Sequence, residues 1–490
     1  MRLLMTTLST MSNTTLFDTR GHVAFHSLLF FGLLNLHLRY SYSELHAVRS
    51  GQFKLIIEAL LKKGFTIVDN ERKSVMLQAG KCGNADIVRL LASNGGDVNM
   101  KGQYGRTPLH EAALQGNADA AMGLLDAGAD MDRADVFGHS FVDMVTATGS
   151  PLSMMVRDPS FPIYMRENLT VGERGREQLQ KLIEIVSDKS HPARNKRLSR
   201  RQREERENAD SLLREDGRGT SAEKVGKSRG VGCTVDRVDT LSFSDFFRNY
   251  VAMNRPVIVS KPFQDWPYLT NNMTLGFLRS VEDMMVNVSD IPYPRKYGGR
   301  KEQEMSVRDY LATLEETDDH PPPYIFISFR PSRENYQKQP LMRLFDGVFA
   351  APTFVGSTTS LVPQFALGKK GSGAPIHHHI SAWNVVLMGE KRWFLNPPHY
   401  SLLSSEHIST FTSSDDFHEA MKWRQECVQY AGEVMWVPTG WGHGVLNTKH
   451  TMAFATQLEN SLTEDALSRL VSHAEFSVLR RSDVQKFRFK

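Results

Sequence analysis

Four glycines, Gly51, Gly83, Gly116 and Gly149, recur at intervals of 32, 33 and 33 residues along the first third of the chain. A fixed period of this size restricts the fold more than any composition does, because it marks one supersecondary unit copied and stacked. The units also repeat in detail: "GNADIV" at 83–88 returns as "GNADAA" at 116–121. Each unit reads as a pair of short helices. A pair that short cannot bury its apolar stripe alone, so its stability has to come from neighbours in a solenoid.

The best copy, "GRTPLHEAALQGNADAAMGLLDAGADMDRADVF" (105–137), carries Thr107-Pro108-Leu109-His110-x-Ala112. With that motif at that period, residues 41–157 resemble ankyrin repeats. The resemblance implies an all-α solenoid that docks a protein substrate or partner, the plainer alternative being an array that only supports the rest of the chain. It also implies that His110 is structural, holding a turn through hydrogen bonds, and has no catalytic part.

At 490 residues the chain exceeds what one hydrophobic core serves. An apolar share of 40% and a charged share of 23% describe a soluble globular protein, and a net charge of only +4 means that any basic character is local. The three cysteines, Cys82, Cys233 and Cys427, are odd in number, far apart and without metal-knuckle spacing. That pattern argues against a disulfide framework and against a zinc ribbon, and favours a reducing compartment. Residues 22–36, "HVAFHSLLFFGLLNL", are apolar but interrupted by His26, Ser27 and Asn35. They fall short of the roughly 20 residues that span a bilayer. Residues 1–40 are therefore expected to be a leader or a buried helix, and no later segment has membrane-spanning length.

Residues 158–232 read as a helix followed by a linker. In "ERGREQLQKLIEIVSD" (173–188) Leu179, Leu182 and Ile185 fall at helical spacing. Residues 191–232 are nearly devoid of large apolar groups and dense in arginine, a composition too poor in buried surface to offset the entropy of ordering. The cluster Lys196, Arg197, Arg200 and Arg201 has the chemistry of a nuclear-import or nucleic-acid patch. Interspersed glutamates argue against nucleic acid as a partner and for a solvated linker.

From Cys233 to Lys490 the pattern becomes short apolar runs punctuated by glycine and proline, the signature of an all-β barrel or sandwich with flanking helices. "RPVIVSKP", "PYIFISF", "WNVVLM", "KRWFLN", "EVMWVP" and "MAFATQL" read as strands. "SFSDFFRNYVAM" and "TEDALSRLVSHAEFSVLR" read as helices.

Within this half, "GSGAPIHHHISAWNVVLMGEKRWFLNPP" (371–398) sets three histidines together. On an extended chain side chains alternate, so His377 and His379 point one way and His378 the other. A third candidate, His443, follows a Gly/Trp turn in "GEVMWVPTGWGHGVLN". Two ligands one residue apart plus a distant third form a three-sided metal face with the other side open to substrate. Neutral imidazoles suit iron, zinc and copper alike.

The blocks "VDTLSFSDFFRNYVAMNRPVIVSKPFQDWP", "GSGAPIH", "SAWNVVLMGEKRWFLNPP" and "GEVMWVPTGWGHGVLN" occur in an order and spacing that resemble the JmjC family of Fe(II)- and 2-oxoglutarate-dependent oxygenases, over residues 233–460. The resemblance implies a double-stranded β-helix of the cupin type, with Fe(II) held by His377, His379 and His443. It implies 2-oxoglutarate as cosubstrate, anchored at Lys391 in a pocket lined by Asn384 and Asn447.

Two positions depart from the family pattern. His379 stands where the second ligand is usually a carboxylate, although one luminal branch of the family has His-x-His there. Ala374 stands where active relatives often place a threonine. Three neutral ligands leave more net charge on the ion than two plus a carboxylate, and such a set also serves zinc. The expected activity is protein hydroxylation, preferred to demethylation because no histone-reader module is visible; the alternative is a catalytically silent, metal-binding scaffold. The repeats and unpaired cysteines favour cytoplasm or nucleus, with the endoplasmic reticulum lumen as alternative. The sequons at Asn168, Asn272 and Asn287 do not decide between them, and a homodimer is compatible with the sequence.

Overall fold

A computed structural model of the chain describes residues 75–158, 172–187, 233–262, 275–292, 302–315, 323–328, 352–355 and 361–458, apart from short gaps, and the isolated positions 58 and 161. The leader, the repeat at Gly51, the linker at 191–232 and the helix expected at 463–480 lie outside the described residues. These divide into two compact units. The first takes the described residues of Met1–Ala113, Asn117–Asp135 and Pro162–Leu182; the second takes those of Leu114–Gly116, Val136–Phe161 and Ile183–Lys490.

The repeats form as helix pairs: α1 (Val75–Cys82) with α2 (Ala85–Ser93), and α3 (Pro108–Gln115) with α4 (Ala118–Asp126). The recurring Gly-Asn explains both the pairing and the stacking. Asn84 accepts from Ile87 N (3.0 Å) and Asn117 from Ala120 N (3.1 Å), each satisfying an otherwise open amide at the start of the second helix. Asn117 Nδ2 also donates to Gly83 O (2.9 Å), tying one repeat to the last. His110 is fully buried, and its Nδ1 accepts from Thr107 N (3.1 Å) and contacts Thr107 Oγ1 (2.7 Å). It holds the turn ahead of α3, as the repeat resemblance implied. A third pair, α5 (Phe141–Thr146) and α6 (Pro151–Val156), belongs to the second unit. Helix α7 (Glu173–Ser187) buries Leu179, Leu182 and Ile185, the three residues its spacing singled out.

The rest of the second unit is β-rich. Its strands are β1 (Asp236–Val238), β2 (Val257–Val259), β3 (Met285–Ser289), β4 (Gln303–Ser306), β5 (Tyr324–Ser328), β6 (Leu361–Gly368), β7 (Gly373–His377), β8 (Ala382–Met388), β9 (Glu390–Asn396), β10 (Gln425–Tyr430), β11 (Val434–Val437), β12 (Gly442–Asn447) and β13 (Thr451–Leu458). Nine of them form one sheet in the order β1-β2-β11-β8-β13-β6-β5-β3-β4, and four form a second in the order β10-β9-β12-β7. All described pairs are antiparallel except β1 with β2. From β6 to β13 the chain crosses from one sheet to the other at every step except β9 to β10, which makes the two sheets the walls of one barrel. Gly389, at φ 85°, turns β8 into β9 in a single residue, where any Cβ would collide with the His450 carbonyl.

Strand β8 is buried on both faces, so it reads as a continuous apolar run rather than an alternation. Trp383, Val385 and Leu387 face outward into a core with Trp436, Phe365, Phe454 and Phe246. Ile258, Met435 and Val437 face inward, meeting Ala374, Trp393, Leu395, Cys427, Trp441 and Val445 of the other wall. The Phe246 ring lies 4.9 Å from both Phe354 and Trp436 in edge contacts, so the helix α8 (Phe243–Phe246) caps the outer core.

The cysteines overturn one expectation. Cys233 and Cys427 form a disulfide across 194 residues, their Cα atoms 4.4 Å apart. Distance along the chain says nothing about segments that a barrel lays side by side. Here Thr234 N donates to Glu426 O (3.2 Å), which sets Cys233 against β10. The odd count arises from Cys82, so the argument for a reducing compartment falls. Among the described residues no helix is long and apolar enough to cross a membrane.

Candidate metal centre

His377 closes β7, His379 lies two residues beyond it, and His443 is the second residue of β12, paired in register with His377. One nitrogen from each ring lies within 4.8 Å of the others, and the ring centroids are 5.3 Å (377–379), 4.3 Å (377–443) and 4.6 Å (379–443) apart. Nitrogens bound at about 2.1 Å to one ion are of this order of separation. His378 turns the other way, its Nδ1 3.0 Å from Ser401 Oγ, as strand alternation requires.

A register fault brings the triad to one face. Ala374 pairs with Val445 and His377 with His443, so two residues on β7, Pro375 and Ile376, stand opposite one on β12, Gly444. Three steps separate Ala374 from His377, an odd number that would put them on opposite faces of a regular strand; the extra residue returns His377 to the inner face. Proline fits there because β7 is the sheet's edge and Pro375 has no N–H to offer a ladder. Ile376 is turned out against Phe394, Ile408 and Phe411. Gly444 makes that possible, since a Cβ at 444 would lie 2.5 Å from Ile376 Cδ1.

Each ring is aimed by a backbone carbonyl. Nδ1 of His377 is 2.8 Å from Pro375 O, Nδ1 of His443 is 3.0 Å from Trp441 O, and Nδ1 of His379 contacts Ile380 O. A carbonyl only accepts, so each Nδ1 carries the proton and donates, leaving Nε2 as the unprotonated nitrogen that an ion would take in all three. His379 lies past the strand end but is fixed to the β11–β12 turn, where Gly440 N donates to His379 O (3.0 Å) and Ser381 N to Thr439 Oγ1 (3.0 Å). Burial, then the neighbouring His377 and His379, hold the His443 pKa well below its ordinary value, so its ring is neutral at pH 7.

The other expected site residues lie on the same interior. On β9 Lys391, Trp393 and Leu395 pair with Asn447, Val445 and His443 of β12. Lys391 therefore shares the inner face with His443 but stands four residues further along, roughly 13 Å at about 3.3 Å per residue. It is buried, with no described carboxylate paired to it, and burial pulls its pKa down to about 7. Asn447 Nδ2 donates to Ser372 Oγ (2.9 Å), while its Oδ1 is buried without a partner among the described residues. Asn384 comes from the opposite wall, in register with Met435, and its Oδ1 is likewise orphaned.

Sequence reasoning missed the group that joins the two ends. Gln429, paired with Lys391 on β10, accepts from Trp393 Nε1 (2.9 Å) and donates to Asn384 O (2.9 Å) and Glu433 O (2.8 Å). The Trp393 ring is 6.0 Å from the His443 ring. A glutamine on an apolar strand was the available signal. The aiming carbonyls left none, because backbone groups have no letter in a sequence.

The donor set fits a divalent transition metal: three neutral imidazoles from one side, with no acid among them. The interior also fits a short dicarboxylate. Buried Lys391, with no carboxylate paired to it among the described residues, lies along the same face, and the Asn384 amide on the opposite wall can present N–H in place of its orphaned oxygen by turning over.

Comparison with known proteins agrees. Residues 45–135 match ankyrin repeats in three copies, and residues 243–459 match the cupin-like domain. The chain is 26% identical over 254 residues to the "2-oxoglutarate and iron-dependent oxygenase JMJD4" of Gallus gallus, covering 45% of this chain and 58% of that protein. It is 26% identical over 258 residues to the "Arginine-specific demethylase JMJ20" of Arabidopsis thaliana, covering 45% and 56%. Against the "JmjC domain-containing protein 8" of Mus musculus it is 26% identical over 238 residues, covering 46% and 82%. The matched region thus spans a little over half of the first two relatives. The chain joins ankyrin repeats to a cupin-like domain that is similar in sequence to oxygenases and demethylases of the JmjC type.

Proposed function

We propose that the chain is an Fe(II)- and 2-oxoglutarate-dependent oxygenase that hydroxylates a protein side chain, with the repeats docking the substrate protein. The observation that carries this reading is the shared inner face: three converging imidazoles at one end and an uncompensated buried Lys391 at the other. A metal would engage the three rings and a dianion would pair with the lysine.

In this reading His377, His379 and His443 hold the ion through Nε2, and the carbonyls of Pro375, Ile380 and Trp441 keep the three rings from turning. Lys391, protonated, binds the remote carboxylate of 2-oxoglutarate. At about 4 Å and an effective dielectric of about 20 that attraction is on the order of 4 kcal/mol before desolvation. Trp393, Val445 and Ala374 exclude water between the two ends. Iron with bound 2-oxoglutarate and dioxygen supplies the oxidation of an unreactive C–H bond. Relatives named for demethylation and for oxygenation do not choose between outcomes, since removal of an N-methyl group begins with hydroxylation of its carbon.

His379 and Ala374 favour a second reading, a metal-binding scaffold without turnover, because both depart from the pattern of active relatives. Anaerobic protein loaded with Fe(II) and 2-oxoglutarate separates the two. The oxygenase releases succinate on exposure to air. Folded, metal-loaded protein that neither binds 2-oxoglutarate nor forms succinate would leave only the scaffold.

A further inference from the structure

The bond between Cys233 and Cys427 bears on where the molecule matures. Cys427 is buried among Trp393, Ala374, Trp441 and Val445, with Cys233 packed at the edge of that cluster. A bridge in such a place is part of the fold. Bonds of this kind form and persist where thiols are oxidised, in the secretory pathway and beyond it. In that pathway an exposed Asn-x-Ser/Thr is also an acceptor of N-linked oligosaccharide.

Strand β3 presents such an acceptor, Asn287-Val288-Ser289. Its burial alternates: Val286 and Val288 enter the outer core of the large sheet, while Met285 and Asn287 face out. Glu304, the partner of Asn287 on β4, is exposed too. Met285 is 46% exposed, one of two large apolar side chains so exposed among the described residues, and lies two residues from Asn287 on the same face. Asn287 thus stands exposed to solvent beside Met285 on that face.

We propose that the chain folds in an oxidising compartment and carries an N-linked oligosaccharide on Asn287. Transfer forms a bond from Asn287 Nδ2 to the anomeric carbon of a lipid-diphosphate-linked oligosaccharide. The anomeric C–O bond to the diphosphate breaks, the lipid diphosphate leaves, and the amide gives up one proton. The Cys233 and Cys427 thiols lose two electrons and two protons to a disulfide oxidant of the same compartment. In the folded chain Ser289 Oγ donates to Ile291 O (2.6 Å), so the sequon hydroxyl is already engaged and transfer precedes the folding of β3.

The test uses full-length protein isolated from its own cells, acid-quenched, alkylated and digested without reduction. A peptide pair linked through Cys233 and Cys427 is expected, together with an Asn287 peptide that appears as labelled aspartate only after peptide-N-glycosidase treatment in heavy-oxygen water. In the same cells Ser289→Ala removes one glycosidase-sensitive step in gel mobility and Ser289→Thr retains it. Alkylated Cys233 and Cys427, or an Asn287 peptide of unmodified mass, overturns the proposal, and both are read on the unsubstituted chain whether or not a variant folds.

Discussion

The repeats and the barrel bury apolar surface over different ranges of sequence. In the repeats the working contacts are local: Asn117 caps its own helix and reaches back 34 residues, into the preceding repeat, to Gly83. In the barrel His377 meets His443 only through the register of two strands, and Cys233 meets Cys427 across 194 residues. Closing long loops costs entropy that no single contact returns, so the barrel forms its inner face all at once. A local defect in the repeats is shared among neighbours, whereas one in the barrel reaches the site.

The sharpest way to break that contrast is at His443. His443→Ala should lower affinity for Fe(II), or for Co(II) as its stand-in, on the order of 1,000-fold, about 4 kcal/mol, in a chelator competition. Retained affinity would mean that His377 and His379 suffice and that the barrel's long-range register is not what builds the site.

Next in size is the disulfide. Cys233→Ser with Cys427→Ser should destabilise the second unit by about 3 kcal/mol in denaturant unfolding, the typical measured effect of removing a native disulfide. The melting of the first unit should not move.

Lys391→Met should then weaken 2-oxoglutarate binding by about 2 kcal/mol, the scale of a charge-assisted hydrogen bond, with metal affinity unchanged. Its pH dependence sharpens the assignment. Free Lys391 loses its proton near pH 7, below its ordinary value, and the bound carboxylate requires it protonated. Affinity should be flat below pH 7 and fall up to tenfold per unit above it, until the higher pKa of the complex is passed. Lys391→Met should abolish that slope. The ligand-free fold behaves oppositely: between about pH 7 and the ordinary lysine value the unfolded chain binds more protons, so stability rises with pH. Calorimetry across pH reads both signs.

The smallest effect belongs to the repeats. Asn117→Ala removes a cap and an inter-repeat bond and should cost about 1 kcal/mol in thermal unfolding, leaving metal and 2-oxoglutarate affinity unchanged.

The same difference in range decides what the sequence disclosed. The glycine period, the Thr-Pro-Leu-His motif and the role of His110 are local patterns, and each was legible. The convergence of the three histidines was legible too, because strand alternation sorts His377 and His379 from His378 without knowledge of the partner strand. Lys391 was placed by resemblance, and only the register with Asn447 shows it inside the barrel. The disulfide was misread because pairing at such separation depends on topology. Gln429 escaped notice because its bridging role exists only once β8, β9 and β10 are assembled.

The two-against-one pairing of Pro375 and Ile376 with Gly444 makes the site depend on counting as well as on chemistry. Deleting either residue would leave all three histidines in place as letters while restoring even pleating, and His377 would swing toward the α9 (Ile408–Phe411) side of the wall. A homologue that keeps every ligand but loses one residue in this stretch would retain the barrel and forfeit the ion. Chain length between Ala374 and His377 is therefore as much a determinant of the centre as the imidazoles themselves.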